Sequence, residues 1–143
     1  MNRIAVTLVT LAVSGSVLAG CGGDSPYCAA VKENQSTLGS FGKAASDAAF
    51  TKEAKAVRSI AATKPEKVAK DWTAIDRAMR AVQAAQKKTG LTFGDLADPE
   101  KRAAADADDV ETITKAYSAF NDTVKQRTSV VKDVKTTCDI TLK

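Results

Sequence analysis

Apolar residues recur at alternating steps of three and four along most of the chain, a spacing that predicts helices rather than strands. The pattern is most regular between Val68 and Val82 and again after Ala103. Each stretch forms a seam of the kind that packs against neighbouring helices. We therefore predict an all-α fold, an up-and-down bundle of three to four helices.

Capping residues and glycines predict where several helices begin and end. Ser25 followed by a proline predicts the start of the first helix, because serine caps the N-terminus and proline suits the first turn. Thr63 and Glu66 have capping-box spacing, which predicts that another helix begins at the intervening proline. Gly90 follows two lysines, a combination typical of a helix C-terminus.

Other boundaries are less sharply defined by the sequence. Two glycines weaken the helical pattern between residues 38 and 50, which leaves the end of the first helix open, and Asp47 predicts the start of a short second helix. Residues 91–97 have the character of a connecting loop. Asp98 predicts the start of a last helix that could extend to about 40 residues unless it kinks.

The first twenty residues have the pattern of a targeting segment. Arg3 precedes an apolar stretch from Ile4 to Val17, which has the length of a signal-peptide core. This stretch is short for a bilayer span, which needs roughly 20 apolar residues. The small residues Ala19 and Gly20 then suit a peptidase that requires slender side chains before the cleaved bond.

Residues 18–21, Leu-Ala-Gly-Cys, resemble the lipobox of bacterial lipoprotein precursors. The resemblance covers the signal region only, and all four positions match the family pattern. It implies that Cys21 Sγ carries a diacylglycerol and that residues 1–20 are removed as a lipoprotein signal peptide. Residues 21–26 would then be the lipidated N-terminus and a short tether, and residues 27–143 the helical domain. Two acyl chains give stable anchoring, here at the extracytoplasmic face of the cell membrane.

Cys28 and Cys138 are the two remaining cysteines. Disulfides persist in the compartments that receive exported proteins, and an even pair fits one bridge. We therefore predict a disulfide that joins the beginning of the domain to its end, with two buried free thiols as the alternative. The bridge requires the first and last helices to be antiparallel neighbours.

The composition argues against most enzyme classes. The sequence contains no histidine, the usual general base near neutral pH and the commonest metal ligand. Asp106, Asp108, Asp109 and Glu111 cluster, but the glycine and glutamate of a calcium loop are missing, so we interpret them as favourable acids early in a helix. We expect no enzymatic activity, no cofactor and no bound metal.

Charge is unevenly distributed along the chain. Residues 52–88 hold ten basic and four acidic side chains, whereas residues 95–122 hold three basic and eight acidic ones. The basic residues could form a solvated face that complements the acidic helix, or a surface that contacts anionic lipid headgroups or wall polymers. We expect no nucleic-acid partner, because export removes the usual one. The candidate contact residues are Lys52, Lys55, Arg58, Lys64, Lys67, Lys70, Arg77 and Arg80.

The alanine-rich helical domain behind a lipobox resembles the small α-helical envelope lipoproteins of high-GC Gram-positive bacteria. This resemblance is general and implies no activity. The function expected from the sequence is a membrane-anchored, non-enzymatic binding or interaction module of the cell envelope, whose partner is an envelope protein or an anionic lipid or wall polymer. The alternative is a carrier that holds a lipid or an amphipathic small molecule between its helices.

Overall fold

The computed structural model describes residues 25–43 and 46–142, and every regular element within these ranges is helical. The predicted signal peptide, residues 1–20, and Cys21 lie outside the described residues. The elements are α1 (Pro26–Glu33), a short 3-10 helix (Thr37–Ser40), α2 (Asp47–Ala62), α3 (Ala69–Thr89), α4 (Phe93–Ala97), α5 (Pro99–Ala104), α6 (Ala107–Asn121) and α7 (Val124–Cys138). The all-α class is confirmed.

Helix α3 is the central element of the bundle and packs against α2, α6 and α7. Its apolar seam is the one predicted from spacing, and its members are fully buried: Trp72, Ile75, Met79 and Val82. Because steps of three and four keep side chains on one helical face, the seam supplies the middle of a core shared with the neighbouring helices. The interior between these helices is filled by side chains.

The first helix and the last one meet through the predicted disulfide, which is confirmed. Cys28 Sγ and Cys138 Sγ are bonded at 2.01 Å, with their Cα atoms 5.2 Å apart. Further along, Arg127 Nη1 donates a hydrogen bond to the Gly42 carbonyl at 3.5 Å. The segment after α1 therefore runs antiparallel to α7, which is the arrangement that the disulfide requires.

The predicted start of α3 at Pro65 is wrong. Thr63 does not cap a following helix, because its hydroxyl donates back to the Ile60 carbonyl at 2.7 Å and belongs to the end of α2. Lys64 has a φ of 50°, the left-handed conformation that often ends a helix. Residues 66–68 form turns, and α3 begins at Ala69, preceded by Val68, which provides no side-chain cap.

The second helix is longer than the short helix predicted to start at Asp47. Ser46 is its N-cap and accepts a hydrogen bond from the Ala49 amide at 3.2 Å, and the helix has 16 residues. The Asp47 carboxylate instead reaches across the bundle, where it accepts hydrogen bonds from the Phe93 amide and from Gln86 Nε2. Asp47 thus holds the segment after α3 against the start of α2.

The last predicted helix is divided into α5, α6 and α7. Asp98 caps α5 as predicted, by accepting hydrogen bonds from two backbone amides. Asp106 then caps a new helix in the same way, accepting from the Asp108 and Asp109 amides at 2.9 and 3.3 Å. A second interruption follows at Thr123, whose hydroxyl donates to the Phe120 carbonyl at 2.7 Å. These local side-chain bonds compete with helix continuation.

Candidate functional site

The end of the bundle that carries the disulfide is also where the described chain begins. Ser25 caps α1 by accepting a hydrogen bond from the Cys28 amide at 3.2 Å, as predicted. The turn between α2 and α3 lies beside it, since Ser25, Thr63 and Lys67 line one groove of about 330 Å³. We call this end of the molecule, defined by Ser25, the disulfide and residues 63–68, the tether end.

A buried tyrosine lies beneath the groove at the tether end. The Tyr27 hydroxyl accepts a hydrogen bond from Trp72 Nε1 at 3.3 Å, and burial raises the Tyr27 pKa to about 12, with the nearby Asp133 carboxylate acting in the same direction. Asp133 in turn accepts a hydrogen bond from the Thr137 hydroxyl at 3.1 Å. The hydroxyl therefore stays protonated and links α1 to the core, which is a structural role.

All eight predicted contact residues are exposed on the surface, but they do not form one uniform basic face. Arg58 Nε lies 3.3 Å from Asp76 Oδ1, and Arg80 Nη2 lies 2.6 Å from Asp76 Oδ2. The Asp76 side chain is only 10% exposed, and its carboxylate raises the Arg80 pKa. Arg58 and Arg80 thus compensate one buried acid and form a bridge between α2 and α3.

Three other members of the basic set converge in one groove. Lys64, Lys70 and Arg77 line a groove of about 450 Å³ together with Ala69, Thr73 and Ala74. No acidic side chain lines this groove, and the described residues provide none of its three cations with an ion-pair partner. We call it the cationic groove. It begins at the tether end and extends along the exposed side of α3.

The remaining basic residues lie elsewhere. Lys67 lines the groove beside Ser25, whereas Lys52 lines a separate groove near the 3-10 helix, and Lys55 is exposed in the middle of α2. Of the eight residues, three therefore lie together in the cationic groove, two are paired with Asp76, and the remaining three lie apart from the groove.

A buried glutamate was missed by the sequence reasoning. Glu53 is 2% exposed, and its Oε1 accepts a hydrogen bond from the Gly42 amide at 2.6 Å. Burial raises the Glu53 pKa, which the Gly42 amide and the Arg127 charge partly oppose. Gly42 has a φ of 75°, and a Cβ there would collide with the Arg127 guanidinium. The helical spacing of Glu53 with Phe50, Val57 and Ile60 was the available signal.

An aromatic cluster covers the opposite end of the bundle. The Phe50 ring packs edge-on against Phe120 with centroids 5.3 Å apart, and Phe93 packs in the same way against Tyr117 at 5.3 Å. Phe93 is 43% exposed and has shallow grooves on both sides. Residues 91–97, predicted as a connecting loop, therefore include the helix α4, and Phe93 packs against the end of the bundle.

Within residues 25–43 and 46–142, none of the helices combines the length and the apolar character that a bilayer crossing requires. The same ranges contain no group of three or more Cys, Asp or Glu side chains placed to hold a metal ion. Comparisons with family models, curated proteins and solved structures returned no match.

Proposed function

We propose that this chain is a lipid-anchored, extracytoplasmic, non-enzymatic interaction module of the bacterial cell envelope. The observation that carries the proposal is the Cys28–Cys138 disulfide, which closes the domain across 110 sequence positions a few residues after the lipobox cysteine. Disulfides of this kind persist in oxidising compartments outside the cytoplasm. The compartment expected from the disulfide and the compartment expected from the lipobox are therefore the same.

The position of the disulfide also supports anchoring through Cys21. Ser25 is the first described residue and lies at the tether end. An extended chain spans at most about 3.5 Å per residue, so four residues hold Ser25 within about 14 Å of Cys21. A diacylated Cys21 would keep the tether end of the bundle next to the lipid headgroups.

The filled interior favours an interaction module over a carrier that holds its ligand inside the bundle. Trp72, Ile75 and Met79 occupy the centre and have no exposed surface. The alternative, a carrier for a lipid or an amphipathic small molecule, is favoured only by the open groove of about 320 Å³ beside Phe93 and Tyr117. Native mass spectrometry of the protein purified from its membrane would separate the two functions, since a carrier retains a bound small molecule.

Cys21→Ser tests the anchoring part of the proposal. In a bacterial host with lipoprotein processing, we expect the wild-type chain in the membrane fraction and the Cys21→Ser chain no longer lipidated and largely absent from it. Ser25→Ala is the matched control, because it leaves the lipobox intact and should stay membrane-bound. A Cys21→Ser chain that is processed and membrane-bound like the wild type would contradict the proposal.

A further inference from the structure

The cationic groove begins at the end of the bundle that the anchor would hold next to a membrane. Lys64 contributes to it from the α2–α3 turn, which is part of the tether end. Lys70 and Arg77 follow along α3, seven positions apart, which is about 10 Å along a helix. The groove thus begins within reach of the bilayer surface and extends away from it on one side of the bundle.

The charge state of the groove distinguishes it from the part of the basic surface formed by Arg58 and Arg80. Arg58 and Arg80 are compensated by Asp76, whereas the three cations of the groove have no acidic side chain in its lining. Three positive charges that converge without a counter-charge attract an anion. The groove has a volume of about 450 Å³, and Thr73 and two alanines complete its lining.

The backbone at Lys64 gives separate support for a requirement for charge at this position. Lys64 is one of two non-glycine residues with positive φ in the described chain, at 50°. The helix-ending conformation it adopts is usually occupied by glycine or asparagine, because a Cβ is strained there. A lysine places a cation next to the tether at the expense of that strain.

We propose that the cationic groove binds the phosphate headgroups of anionic phospholipids in the same leaflet that holds the Cys21 anchor. This inference rests on the proposed anchoring, which supplies the proximity. The groove provides orientation: with the tether end and the groove both engaged, the bundle tilts so that the first turns of α3 face the headgroups, and the aromatic cluster at the opposite end of the bundle lies away from the bilayer. The orientation leaves Phe93 and Tyr117 accessible to a partner in the envelope.

Vesicle binding of the mature chain with Cys21→Ser tests the groove without the anchor. Each surface lysine or arginine adds about fivefold to binding at an anionic membrane, so the three together should contribute on the order of 100-fold. We expect the chain to sediment with phosphatidylcholine vesicles that contain phosphatidylglycerol and not with phosphatidylcholine alone. Added salt should weaken the binding.

The variant Lys64→Gln, Lys70→Gln, Arg77→Gln should lose at least tenfold in binding to the anionic vesicles. The control Lys52→Gln, Lys88→Gln, Lys115→Gln removes the same charge from exposed positions away from the tether end and should bind much like the parent chain. A variant that carries Lys64→Arg and Lys70→Arg instead keeps the charge of the groove and should bind the anionic vesicles like the parent chain. Circular dichroism checks that each variant is as helical as the parent.

Equal losses in the two triple variants would overturn the proposal, because binding would then follow net charge and not the groove. A groove variant that binds vesicles normally but loses binding to soluble polyphosphate would overturn it in favour of a wall polymer. The outcome is independent of the Cys21 experiment, since vesicle binding needs no lipidation and the fractionation of Cys21→Ser needs no groove.

Discussion

Lys64 shows how one residue can carry a structural cost and a functional gain together. Its left-handed backbone ends α2 where glycine would be less strained, and its side chain lines the cationic groove. The sequence gives no direct signal for this conformation, because Thr63 and Glu66 resemble a capping box. The competing hydrogen bond from the Thr63 hydroxyl to Ile60 decides the local structure, and it is visible only once α2 is placed.

Lys64→Gly should raise the free energy of unfolding by about 0.5–1 kcal/mol, since relief of the left-handed strain exceeds the added freedom of the unfolded chain. Urea unfolding followed by circular dichroism measures this change. Lys64→Ala is the matched control, because it removes the cation but keeps the Cβ, and it should show no such gain. Both variants should bind anionic vesicles about fivefold less tightly. A glycine variant no more stable than the alanine variant would contradict the strain argument.

Glu53 predicts a pH dependence whose sign is set by burial. Its pKa in the folded chain is raised above its ordinary value of 4.5, so the folded state holds this proton more tightly than the unfolded state. The stability that Glu53 contributes is present below pH 4.5 and is lost as the pH rises through the folded pKa. Glu53→Gln cannot titrate, and its glutamine can still accept from the Gly42 amide.

The difference in unfolding free energy between wild type and Glu53→Gln should therefore shift in favour of the variant as the pH is raised from 4 towards 7, by about 1.4 kcal/mol for each unit by which the pKa is raised. Urea titrations at a series of pH values measure it. The comparison with Glu53→Gln isolates this group from the exposed acids. A difference that is constant with pH, or one that shifts towards the wild type, would show that Glu53 has no raised pKa.

At the scale of elements, capping chemistry determined how well the sequence predicted the helices. Ser25, Asp98 and Gly90 act as their types and positions indicate. Asp106 was interpreted only as one of several acids within a long helix. Aspartate is favoured both in the first turn of a helix and at its N-cap, so the residue type alone does not distinguish the two positions. The apolar seam also continues across the break between α5 and α6, so the hydrophobic periodicity does not reveal where the helix is interrupted.

Asp106→Ala should lower the free energy of unfolding by about 1 kcal/mol, the usual cost of removing an N-cap side chain. The carboxylate accepts hydrogen bonds from two backbone amides of α6, which alanine leaves without a side-chain partner. Glu111→Ala is the control, because it removes an exposed acid from the same helix without removing a cap. Equal effects of the two substitutions in urea unfolding would indicate a general charge effect rather than capping.

At the scale of the whole molecule, the apolar seams predicted the all-α fold class, and the cysteine count predicted the Cys28–Cys138 disulfide. The cationic groove could be predicted only in part. The eight basic residues are exposed at the surface. Two of them, Arg58 and Arg80, are paired with Asp76, and three others lie together in the cationic groove. This division depends on how α2 packs against α3. Spacing along one helix contains no information about a partner on another.

The disulfide should contribute roughly 4–5 kcal/mol to the stability of the whole domain on the chain-entropy model, since it closes a loop of about 110 residues. Dithiothreitol should lower the urea midpoint of the wild-type domain substantially. The double variant Cys28→Ser, Cys138→Ser should start at that lower midpoint and should not respond to the reductant. A wild-type midpoint that is insensitive to complete reduction would contradict the role assigned to this bond.

The most direct test of the central claim is the intact mass of the protein purified from the membrane fraction of a bacterial host with lipoprotein processing. We predict a chain that begins at Cys21, carries a diacylglyceryl group on that residue and has the Cys28–Cys138 disulfide intact. A chain that retains residues 1–20, or that begins elsewhere and carries no lipid, would contradict the account.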